Sequence, residues 1–159
     1  MDVHIFEIET QPGLHSYYVS PVSPDEAMQN GLPAIAIIGV LKDGEGDLTP
    51  ENFLPNRTFL DFFHHFIAEQ MATDPALAEE ASKIEGDGMV FVVDQRADPE
   101  EEIAPEDILG AFRTQNGAIV SGSFQASPNH KLLTENGLFR LTATLEEELL
   151  KQMKVKVEE

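Results

Sequence analysis

The chain contains no cysteine. That one absence excludes a disulfide scaffold, a thiolate nucleophile, a Cys-ligated zinc site and an iron–sulfur cluster. Bases are scarce too: 10 Lys and Arg stand against 29 Asp and Glu, the net charge is −19, and the first basic residue is Lys42. Such a surface repels phosphate backbones and anionic headgroups, so neither nucleic acid nor membrane is expected as a partner. No apolar run approaches the roughly 18–20 residues needed to cross a bilayer. The opening Met1–Glu7 alternates acidic and apolar residues, the reverse of a basic-then-apolar secretory leader. A reducing, cytoplasmic setting is the expectation.

Reactive motifs are missing as well. No Gly-Lys-Ser/Thr ending follows Gly39, Gly44 or Gly46, and no Gly-x-Gly-x-x-Gly joins a strand to a helix, so no nucleotide cofactor is implied. There is no Gly-x-Ser-x-Gly elbow and no His-Glu-x-x-His. No motif calls for any other cofactor.

What is present suffices for a core. The 159 residues match a common size for one domain, and 42% of them are hydrophobic. A chain of that length buries roughly 70% of its unfolded surface. A single globular domain over 1–159 is expected, fraying at Val155–Glu159.

The hydrophobic pattern predicts the elements. Val3–Glu9 alternates like a half-buried strand, Gln11-Pro12-Gly13 turns the chain, and Ser16–Val19 returns. Ser20–Pro33 reads as a loop with at most one helical turn. Ala34–Leu41 and Met89–Val93 lack a polar side, which suits two central strands covered on both faces. Phe59, Phe62, Phe63, Phe66 and Ile67 recur at helical spacing from Asn56 onward. Thr73-Asp74-Pro75 opens a second helix. Arg96–Asp107, rich in acid and proline, reads as an exposed connection. Asn116-Gly117 marks a hairpin with Ala118–Phe124 as its return strand, and Asn136-Gly137 either turns another hairpin, the preferred reading, or caps a short helix. Thr144 with Glu147 has the form of a capping box for a last helix. The expected fold class is therefore α+β: a largely antiparallel sheet with two buried central strands, packed by the Phe-rich helix and shorter helices.

Three constellations could carry chemistry. Asp61, His65 and Glu69 form one column on a helix face, a spacing that can ligate a metal and equally describes an ordinary solvated face. Asp43, Glu45 and Asp47 alternate as in a calcium loop, but Leu48 and Leu54 stand where an EF-hand needs Gly and Glu. The Gly122–Lys131 loop gathers Ser, Gln, Asn, His and Lys. A hydrolase would use Ser127 or Ser123 as nucleophile, His130 as base and Asp94 to orient it, whereas Ser-Pro-Asn is also plain turn chemistry.

The expectation these residues support is a non-catalytic module that engages a basic protein surface through acidic residues or a sheet edge. Asp98, Glu100, Glu101, Glu102, Glu106 and Asp107 are the candidate contacts. A metal-assisted or Ser/His hydrolase, or a small-ligand pocket beside the Phe-rich helix, is the alternative. Edge pairing into a homodimer is a further option.

Overall fold

The structure, a computed structural model, describes residues 1–154 in full and the helical backbone as far as Glu158. The fraying expected of Val155–Glu159 lies outside the fully described residues. Backbone contacts divide the chain into two compact units, Met1–Phe63 with Thr142–Glu159, and His64–Leu141.

The first unit is built on a four-stranded antiparallel sheet in the order β1 (His4–Gln11), β2 (Leu14–Ser20), β3 (Gly39–Leu41) and β4 (Phe53–Pro55). Pro12-Gly13 turns the first hairpin, with Gly13 in the left-handed region at φ 81°. The segment expected as a loop instead holds α1 (Pro24–Asn30). Its signals are local: Ser23 Oγ accepts the Glu26 N–H, Pro24 sits at the first position, and Asp25 and Glu26 face the positive end of the helix.

Ala34–Leu41 departs from the expected single strand. A 3-10 turn occupies Ala34–Ala36, and only Gly39–Leu41 pairs as strand. Asn56 explains the difference, because its Nδ2 donates to the Ala34 and Ile37 carbonyls at 2.9 and 2.8 Å and fixes them away from a ladder. Ile38 still reaches β2 through the Val19 carbonyl and is fully buried.

Helix α2 (Arg57–Met71) follows the expected phenylalanine spacing. Phe59 and Phe63 stack with centroids 5.4 Å apart, and Phe66 and Ile67 are buried as well. Helix α4 (Ala143–Glu158) buries Leu149 and Met153. Its cap is Thr142, whose Oγ1 accepts the Leu145 N–H, so the helix begins ahead of the Thr144–Glu147 pair expected to open it.

In the second unit α3 (Pro75–Ser82) is capped by Asp74, as its sequence foretold, and buries Leu77 and Ala81. Strands β5 (Asp87–Val93), β6 (Ile108–Gln115) and β7 (Ala118–Ile119) form an antiparallel sheet in that order. Asn116 and Gly117 turn β6 into β7 at φ 52° and 83°, the two positive values a type I′ turn needs. The return strand is shorter than expected. The chain leaves the ladder after Ile119, turns at Gly122 and comes back as β8 (Gln125–Ala126) beside Gly110 and Ala111 of β6. The second expected hairpin forms as β9 (Leu133–Thr134) and β10 (Gly137–Leu138), but Glu135 and Asn136 make its turn while Gly137 pairs with Thr134 as the first residue of β10.

The α+β class with antiparallel sheets and a buried phenylalanine cluster stands. Two buried central strands do not. β3 has three residues, and β5 is an edge strand buried on one face: Val90 and Val92 are 4% and 3% exposed, Met89 and Phe91 48% and 51%.

Candidate functional site

The Arg96–Asp107 connection, expected to lie in solvent, is anchored from within. Arg96 follows β5 by three residues, and its side chain is 3% exposed. Its Nε donates to Asp107 Oδ1 at 2.8 Å. Nη1 donates to the Leu132 and Gly137 carbonyls at 3.1 and 3.0 Å, and Nη2 to those of Glu106 and Lys131. All five guanidinium protons are thus used, which a lysine with three donors on one nitrogen cannot reproduce.

Asp94 completes the cluster. Its Oδ1 accepts the Arg96 and Arg140 backbone N–H groups at 3.1 and 2.8 Å, and its Oδ2 lies 2.9 Å from His130 Nε2. The Asp94 N–H donates to the Asp107 carbonyl at 2.7 Å. One buried ion network therefore ties the end of β5, the start of β6, the Ser127–Leu132 loop and the β9–β10 hairpin together.

Two members of the expected hydrolytic trio meet inside the protein. They are His130 and Asp94, whose side chains are 2% and 0% exposed. Ser127 Oγ accepts the Asn129 N–H at 3.3 Å, and the Ser127 N–H donates to the Leu109 carbonyl. With both Asp94 oxygens engaged inside the protein, the arrangement suits holding loops together better than acting on a substrate.

The helical column is open to solvent. His65 Nε2 lies 2.9 Å from Glu69 Oε1, while Asp61 faces Arg57 at 3.9 Å. Among the described residues no group of three or more His, Asp or Glu is placed to hold a metal ion. The Asp43–Asp47 turn is internally tied, with Asn52 Nδ2 donating to the Asp43 and Asp47 carbonyls at 2.9 Å. Beside it, the Tyr17 hydroxyl donates to Glu7 Oε1 at 3.1 Å. That hydrogen bond, then partial desolvation and the repulsion of Glu7, Glu45 and Asp43, raises the Tyr17 phenol above its ordinary pKa.

The acidic contact set is split. Asp98, Glu100, Glu101 and Glu102 are exposed, Glu106 is half-buried, and Asp107 lies inside against Arg96, so it is withdrawn from any surface. Next to this connection the outer face of β5 and β6 opens into a cleft of about 240 Å³ lined by Met89, Phe91, Pro105, Ala111 and Pro128. Sequence reasoning missed the cleft because Met89–Val93 is apolar at every position, leaving no alternation to separate an inner face from an outer one.

Comparison with protein-family models, curated proteins and solved structures found no match.

Proposed function

We propose that the protein is a non-catalytic interaction module, and that its His64–Leu141 unit engages a protein partner bearing a basic surface. One observation carries the reading. An open sheet edge with an apolar outer face is followed in the chain by an exposed acidic segment, Asp98 to Glu102, that leads to Pro105 at the cleft on that face. Apolar surface supplies binding free energy, while surrounding charge governs approach and partner choice. The setting proposed is cytoplasmic, in keeping with the absence of cysteine.

The test is affinity capture with the full chain as bait. A partner should be retained at low salt and lost as sodium chloride rises. It should also be lost when Glu100, Glu101 and Glu102 are together replaced by Gln. Capture indifferent to both changes would overturn the reading.

A further inference from the structure

Resting on the interaction reading above, we propose that the open edge of β5 receives an extended segment of a different protein as an added strand, and that this segment alternates apolar residues with Lys or Arg.

The main chain identifies which groups are available. The Asn116 N–H donates to the Gly86 carbonyl at 2.9 Å, and the register then sets Gly88, Val90 and Val92 opposite Thr114, Phe112 and Gly110. In an antiparallel pair alternate residues bond the partner while those between direct their N–H and C=O to the other side. The outward set on β5 is therefore Asp87, Met89 and Phe91. The same parity holds across β6, where the Arg113 and Leu109 carbonyls accept from Val120 and Ser127 on the opposite side. Among the described residues no strand pairs with the outer side of β5.

Edges are ordinarily guarded by charge, proline, bulges or shortness. The β1 edge of the first unit follows this rule, with exposed Glu7 and Glu9 and an irregular register between Glu9 and Gln11. β5 shares one such guard, an irregular register between Val92 and Val93, but from Gly88 to Val93 it carries neither charge nor proline. Its exposed Met89 and Phe91 stand at the cleft, where apolar side chains of an added strand would cover them. Strand addition of this kind draws affinity from main-chain hydrogen bonds and specificity from pockets for alternate side chains.

Charge selects the occupant. Exposed Glu85 and Asp87 flank the start of the edge, and exposed Asp98, Glu100, Glu101 and Glu102 lead toward Pro105 at the cleft; they outnumber the exposed bases of the same segments, Lys83, Lys131 and Arg113, the last opposite Met89. A second copy would bring another −19 charges, so a basic segment of another protein fits better.

The experiment uses the full chain and two synthetic peptides of equal length, one alternating Lys with Val, the other Glu with Val. The Lys–Val peptide should bind and slow hydrogen exchange at the Met89 and Phe91 amides, and the Glu–Val peptide should do neither. Met89→Pro removes one outward N–H and leaves the inward ladder residues in place, so it should weaken binding roughly tenfold or more. If that variant does not fold, Phe91→Lys keeps the backbone donor and should give a similar loss by placing a base on the apolar face. No binding of the Lys–Val peptide, or binding that leaves Met89 and Phe91 unprotected and is indifferent to the variants, overturns the proposal. So does protection in the free protein that grows with its concentration, since a second copy would then occupy the edge. Salt-sensitive partner capture that persists without β5 protection would sink this site alone and leave the broader reading standing.

Discussion

Arg96 is the residue whose sequence context conceals its role most completely. Asp98, Pro99 and Glu100 to Glu102 beside it have the composition of a solvated loop, yet its guanidinium is enclosed and holds five acceptors. Burial of a charge depends on what the fold brings to it, and the acceptors come from as far away as Gly137, so no local pattern announces them. Removing one member of such a cluster leaves buried partners uncompensated. Arg96→Ala should destabilise the protein by about 3–5 kcal/mol in urea unfolding, and Arg96→Lys should recover only part of that loss. A loss below about 1 kcal/mol would place the guanidinium in a screened, surface-like setting. Thr114 is the opposite case. Its Oγ1 is buried without a hydrogen-bond partner, 1% of the residue being exposed. Thr114→Val replaces that hydroxyl with a methyl of similar size and should stabilise the fold by roughly 1 kcal/mol. Destabilisation instead would mean that the hydroxyl finds a water.

At the scale of elements, legibility followed how local each signal is. α3 was readable because its cap and Pro75 lie within three residues of one another, and the Asn116-Gly117 turn was readable because positive φ favours those residue types. α2 was readable because the phenylalanine spacing repeats over more than two turns. The strands were harder. Ala34–Leu41 is apolar throughout, but a side chain 15 residues beyond it, that of Asn56, takes two of its carbonyls and converts its start to a 3-10 turn. Met89–Val93 of β5 is apolar throughout as well, yet only one side of the strand is buried. Length and composition distinguish neither case from a central strand, because the missing information is which element covers which face. The candidate site divides in the same way. The pairing of His130 with Asp94 follows from residue chemistry, whereas the enclosure of Asp107 and the opening of β5 as an edge follow only from topology.

For the whole molecule, the charge sets two responses to salt that run in opposite directions. At −19 the folded chain carries far more repulsion than its exposed pairs, such as Arg57–Asp61 and Lys154–Glu26, can offset. Unfolding separates those charges, so repulsion favours the unfolded state, and screening should remove part of that preference. The Debye length falls from about 30 Å at 0.01 M to about 10 Å at 0.1 M, the range over which charges spread across a small protein stop sensing one another. The midpoint of urea unfolding should therefore rise as sodium chloride is added over that range, chloride being chosen over sulfate because sulfate stabilises proteins generally by exclusion. Partner binding should fall over the same range, since attraction between an acidic surface and a basic one is screened equally. A fall of both quantities together would indicate that attractive pairs, not excess repulsion, dominate the folded surface, and that salt releases the partner by loosening the fold. Opposite movement assigns the loss of binding to the interface itself.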